Sequence, residues 1–113
     1  MTRLAICAAF ISILSACNSG TPIAFHNASE HQLEKVVLSG NGFEASLGVV
    51  APGRSLTAQV YPAGESGLAI SFTANGQDFS YEPQDYFESG GRYKVSATIS
   101  HDLSFVVQSE IGL

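Results

Sequence analysis

From Pro22 onward, apolar and polar residues alternate one for one, and no helical period is sustained. Leu56, Ala58 and Val60 fall on one side of an extended chain, with Thr57 and Gln59 on the other. Leu68, Ile70, Phe72 and Ala74 alternate in the same way with Ala69, Ser71 and Thr73. So do Tyr93, Val95, Ala97 and Ile99 with Arg92, Lys94, Ser96 and Thr98. Successive Cβ atoms leave a strand on opposite faces, so this period of two predicts antiparallel strands with one face buried. Weaker strands fit at 22–26, 33–39, 43–47, 77–81 and 103–108.

Turn signals separate these runs. Asn41-Gly42 and Asn75-Gly76 predict two-residue hairpins, because both central positions of a type I′ turn take positive φ. Ser100-His101-Asp102 predicts a third hairpin, and Pro52-Gly53 and Pro62-Ala63-Gly64-Glu65-Ser66-Gly67 predict further turns. Seven or eight short strands at this spacing predict an all-β antiparallel sandwich over residues 22–113, with a small β-barrel as the alternative. Gly91-Arg92-Tyr93-Lys94-Val95 resembles the opening of strand F in immunoglobulin-like domains. That resemblance implies a sandwich architecture and a tyrosine at 93 that bonds back to upstream backbone. The core tryptophan and strand-linking disulfide of antibody domains have no counterpart here, so only the architecture is implied.

The N-terminus is of another kind. Arg3 precedes an uncharged, mostly apolar run over residues 4–14. A helix needs about 20 apolar residues to span a bilayer, so the run has the dimensions of a signal-peptide core. Leu14-Ser15-Ala16-Cys17 resembles the lipobox of bacterial lipoproteins. The resemblance implies a signal peptide over residues 1–16, cleavage before Cys17, diacylglycerol on the Cys17 thiol and an acyl chain such as palmitate on its new amine. No other cofactor is expected. Asn18 stands where Asp would favour inner-membrane retention in enteric bacteria, which implies the periplasmic face of the outer membrane. Residues 17–21 are then the lipidated cysteine and a short tether. Asn18, Ser19, Gly20 and Thr21 reach about 14 Å when extended, which keeps the domain close to the membrane.

Composition narrows the function. The chain is 45% hydrophobic and 13% charged, a folding rather than a disordered composition. Its net charge of -5 becomes -6 once Arg3 leaves with the signal. Lys35, Arg54, Arg92 and Lys94 are too few and scattered for a phosphate-binding patch, so no nucleic-acid partner is expected. Cys7 lies within the signal, so Cys17 is the only cysteine after cleavage. Disulfides, thiol redox chemistry and cysteine metal sites are thereby excluded from the domain.

Four motifs invite chemistry. Glu82-Pro83-Gln84-Asp85-Tyr86-Phe87-Glu88 gathers three carboxylates but has no EF-hand rhythm. It reads as a solvated turn whose Tyr86 and Phe87 fold back over the core edge. Its functional alternative is a partner-binding loop of Glu82, Asp85, Tyr86, Phe87 and Glu88. His26 and His31 can meet across a turn with Glu30 nearby, but zinc needs a further well-placed ligand, and His101 falls in a hairpin turn. No metal site is expected. Ser66 lacks the Gly-x-Ser-x-Gly spacing of a nucleophile elbow, so no catalytic residue is assigned. Ser89-Gly90-Gly91-Arg92-Tyr93 resembles the Ser-Gly-x-x-Tyr motif of periplasmic C-type lysozyme inhibitors, which implies that Ser89 and Tyr93 reach toward a hydrolase active site. The second motif and the cysteines of that family are missing.

The expectation is a non-enzymatic, membrane-anchored envelope lipoprotein that binds another envelope protein or supports envelope structure. The alternative is an inhibitor or immunity lipoprotein against a wall hydrolase such as lysozyme.

Overall fold

The computed structural model describes residues 20–112. The expected signal peptide over residues 1–16, Cys17, Asn18 and Ser19 lie outside the described residues. Eight strands follow one another: β1 (Thr21–Asn27), β2 (Leu33–Gly40), β3 (Phe43–Val50), β4 (Ser55–Val60), β5 (Glu65–Ala74), β6 (Gln77–Glu88), β7 (Tyr93–Ile99) and β8 (Phe105–Ile111). They form two four-stranded sheets, ordered β4-β1-β7-β8 and β3-β2-β5-β6. Both sheets have open edges, so the domain is a sandwich and the barrel alternative is set aside.

The three expected hairpins each stay within one sheet, joining β2 to β3, β5 to β6 and β7 to β8. At Asn75 and Gly76 φ is 53° and 76°, the signature of a type I′ turn. At 41–42 only Gly42 takes positive φ. There the Asn41 backbone N–H donates to Ser66 Oγ and its side-chain amide to Glu65 O, and these bonds settle the turn's conformation. Every other connection crosses between the sheets. As a result β1 lies between β4 and β7, antiparallel to the first and parallel to the second, with Ile23 opposite Val95 and Asn27 opposite Ile99. A parallel pair needs a long connection, and here most of the domain supplies it.

The alternating apolar positions line the space between the sheets. Ile23, Phe25, Val95, Ala97 and Ile99 come from one sheet, and Leu33, Val36, Leu38, Leu68, Ile70, Phe72 and Phe87 from the other. Phe72 stacks on Phe79 with centroids 5.0 Å apart, and Tyr81 meets Phe105 at 5.9 Å, so an aromatic row crosses from sheet to sheet. The Tyr81 hydroxyl donates to Leu103 O at 2.7 Å. The phenol that bonds to distant backbone is thus that of Tyr81, whereas Tyr93 packs its ring edge-on against Tyr86.

Two expectations about local structure need correction. Residues 82–88 are not a loop: β6 runs through to Glu88 as an edge strand. The pairing runs Ser66 to Phe87, Leu68 to Gln84 and Ile70 to Tyr81, so β6 twice carries three residues against two on β5. These are bulges, and each extra residue reverses which face the following side chains take. Phe87 consequently points inward and is fully buried, while Tyr86 points outward and is 43% exposed. Nor is Ser66 in a turn. It is buried inside β5, where its Oγ accepts from Asn41 N and donates to Gly67 O.

Strand direction sorts the connections onto two poles. Gly20, the 41–42, 61–64 and 89–92 turns and Gly112 share one end, called the tether pole after the tether expected from the sequence. Residues 28–32, 51–54, 75–76 and 100–104 share the other, the far pole.

Candidate functional site

The tether pole is where most of the sequence-derived candidates meet. Tyr61 follows β4, and its ring lies over Gly20: a Cβ there would stand 2.9 Å from Tyr61 Cε2 and 2.5 Å from Val60 O. Tyr93 opens β7 opposite Ile111, and Tyr86 stands edge-on to it with centroids 6.1 Å apart. The Tyr86 hydroxyl donates to Glu88 Oε1 at 2.9 Å. That bond to a carboxylate, with Glu65 also nearby, pushes the phenol pKa up to about 12. Ser89 and Arg92 are exposed on the turn between β6 and β7. Gly20, Pro22, Arg92, Tyr93, Lys94 and Gly112 line a shallow groove of about 410 Å³ at this end. Ser89 and Tyr93 therefore share a pole, although Ser89 is at the surface and Tyr93 is half-buried.

The acidic stretch does not gather its carboxylates into one site. Asp85 has φ of 63° and sits on a bulge. Its Oδ1 accepts from Tyr86 N at 2.9 Å, and its Oδ2 from Ser109 N at 2.8 Å. Ser109 belongs to β8, the edge strand of the other sheet, so Asp85 occupies an edge N–H and links the two sheets. Glu88 is engaged by Tyr86, and Phe87 is in the core. Glu82 and Tyr86 remain at the surface.

At the far pole the organising residue is Asn27, which sequence reasoning passed over. It is fully buried at the end of β1. Its amide donates to His31 O at 2.9 Å and Val50 O at 3.1 Å. Its Oδ1 accepts from Ser29 N at 3.0 Å and Ser29 Oγ at 2.7 Å. Its backbone pairs with Arg54 O and Gly53 N. The legible signal was Asn-x-Ser directly after a strand, since Asn side chains bond to backbone two residues on.

The three histidines of the domain lie on or beside this pole without converging. His26 Nδ1 is 2.7 Å from Ser55 Oγ, His101 pairs with Glu30 at 3.8 Å, and His31 contributes its carbonyl to Asn27. Among the described residues, no group of three or more His, Cys, Asp or Glu side chains is arranged to hold a metal ion. Asp102 in the β7–β8 turn accepts from Ser104 Oγ at 2.7 Å and Ser104 N at 3.1 Å, and these bonds lower its carboxyl pKa.

The outer face of the β4-β1-β7-β8 sheet carries a shallow trough of about 370 Å³. Ala24, Thr57, Ser96 and Gln108 floor it, and Lys94 and Glu110 stand opposite each other across the strands. Its small polar floor offers hydrogen-bonding groups but no nucleophile paired with a base. Comparison with known proteins finds no matching family model, no matching curated protein and no matching solved structure.

Proposed function

We propose that the protein is a non-enzymatic lipoprotein of the bacterial envelope, anchored by lipid on Cys17 at the periplasmic face of the outer membrane. In this reading its sandwich binds another envelope protein. The observation that carries it is the order of the chain: the lipobox Leu14-Ser15-Ala16-Cys17, then Asn18, Ser19 and Gly20, then β1. Two or more acyl chains give stable anchoring where one is marginal. Of the carboxylates that invited a catalytic reading, Asp85 and Glu88 are engaged in hydrogen bonds within the domain. The far pole points away from the lipid-bearing end and presents Glu30 and His31 on one loop, Arg54 on a second and His101 on a third. It is the surface on which a protein partner is expected.

Palmitate labelling and membrane fractionation test the anchor. The native protein is expected to label and to sediment with membranes, and Cys17→Ser to do neither. A labelled, membrane-bound Cys17→Ser protein of mature size overturns the reading. For the partner, a photo-crosslinking residue at His101 in intact cells should give one discrete adduct. Absence of any adduct from all four far-pole loops removes the binding half of the proposal.

Exposed Ser89 on a glycine-supported turn favours a second reading, an inhibitor or immunity lipoprotein that presents Ser89 and Tyr93 to a wall hydrolase. No inhibition of lysozyme at micromolar concentration removes the lysozyme form of it.

A further inference from the structure

We infer that the tether pole is a membrane-seating surface: Tyr61, Tyr86 and Ile111 lie in the headgroup layer of the same phospholipid bilayer that holds the anchor. The inference rests on the lipidation of Cys17. It adds a second, non-covalent contact that the lipobox does not imply.

β1 begins at Thr21, one residue earlier than the alternation suggested, so only Asn18, Ser19 and Gly20 separate it from the lipidated cysteine. Three extended residues reach about 10 Å, roughly the thickness of one strand layer. A domain held at Gly20 on so short a lead has to bring whatever surrounds Gly20 to the lipid surface.

Tyr61 covers Gly20 and is 52% exposed, Tyr86 is 43% exposed, and Ile111 is 60% exposed. Among the described residues they are three of the five large hydrophobic side chains left open to solvent. Tyr93 lies between two of them, opposite Ile111 and edge-on to Tyr86. Tyrosine suits a bilayer interface because its ring is apolar and its hydroxyl stays among polar headgroups. The Tyr86 hydroxyl donates to Glu88 Oε1, so the outer end of this ring is polar.

Arg92 and Lys94 carry long apolar stems at this pole and can extend their heads to phosphate. Glu65, Glu88 and Glu110 accompany them, so the pole has mixed sign. A mixed surface fits zwitterionic headgroups and does not depend on anionic lipid. The contact should therefore survive high salt, unlike docking by a basic patch.

The chain contains no tryptophan, so single tryptophans report without background. Full-length lipidated protein carrying Tyr61→Trp, Tyr86→Trp or, at the far pole, His101→Trp is reconstituted into phosphatidylethanolamine–phosphatidylglycerol vesicles with brominated acyl chains. Tyr61→Trp and Tyr86→Trp emission is expected to shift to the blue and to be quenched at least twofold more than that of His101→Trp, at low and at high salt alike. Equal, weak quenching at all three positions in protein that still floats with the vesicles overturns the seating surface and leaves the anchor standing. Quenching abolished by salt also overturns it, in favour of purely electrostatic docking. Protein that does not float removes the anchor, and the seating surface with it.

Discussion

Asn27 occupies a fully buried position with every side-chain hydrogen-bonding capacity used, two donors and two acceptor sites on the amide. Removing it orphans groups on two separate segments, Ser29 and His31 of the 28–32 loop and Val50 at the end of β3, which is why one residue ties these parts of the far pole together. Asn27→Ala is expected to cost about 2–4 kcal/mol, because the carbonyl and N–H groups left behind are buried without partners. Urea unfolding measures it, and an unchanged midpoint would show that the loops do not depend on this amide. Asp102 acts at the same pole through charge. Its native pKa is lowered by the Ser104 bonds, so its contribution is present above the ordinary carboxylate range and is lost as pH falls through the native value. Asp102→Ala should therefore lower stability at pH 7 and converge with the native protein in strong acid. A pH-independent difference would assign the effect to packing instead. Neither role was legible from composition. Both depend on which backbone groups the fold brings within reach, although the Asn-x-Ser and Asp-x-Ser spacings mark both residues as turn formers.

The strands differ in how clearly the sequence reveals them, and β6 shows why. In β4, β5 and β7 apolar residues hold a strict period of two, and the observed burial follows it. In β6 two bulges insert extra residues, each reversing the parity, so a continuous strand reads as a strand plus a loop. Pro83 strengthens that misreading, since proline argues against a central strand, but it is at home on an edge where no ladder N–H is needed. Gly67 on the neighbouring strand makes the arrangement fit, because a Cβ there would stand 3.1 Å from Gln84 O, Asp85 O and Pro83 Cβ. The bulges, Pro83 and Asp85 together blunt an edge that could otherwise pair with another chain. Substitutions at 85 separate the causes. Asp85→Asn tolerates positive φ but keeps only one of the two acceptor oxygens, so it should retain part of the native stability. Asp85→Ala loses the link to Ser109 and is strained at φ 63°, and is expected to cost about 1–3 kcal/mol and to increase aggregation on mild heating. Equal stability of the two variants would show that the carboxylate does not tie the sheets together.

At the scale of the molecule, the class of fold was readable but the sheet order was not. Hairpins follow from local turn chemistry, as at Asn75-Gly76, whereas the insertion of β1 between β4 and β7 depends on packing between segments dozens of residues apart. That insertion sets the geometry of the proposed seating surface, because it fixes which turns surround Gly20. Tyr61, Tyr86 and Ile111 are far apart in sequence, and only the strand directions collect them at one pole. Covering a half-exposed side chain is worth on the order of 1 kcal/mol, so three of them supply on the order of 3 kcal/mol. Binding that weak corresponds to a dissociation constant of roughly a few millimolar and would not hold a free domain on a membrane. A short tether changes the outcome, because it keeps the pole at an effective concentration in the millimolar range or above. Lengthening the tether should therefore separate anchorage from seating. Twenty Gly/Ser residues inserted between Ser19 and Gly20 span about 25 Å on average and dilute the pole away from the lipid. The lengthened protein is expected to float with vesicles as before, while quenching of its Tyr61→Trp form falls severalfold toward the far-pole value. Quenching that stays at the native level would mean that the pole binds lipid with an affinity of its own, well beyond what Tyr61, Tyr86 and Ile111 can provide.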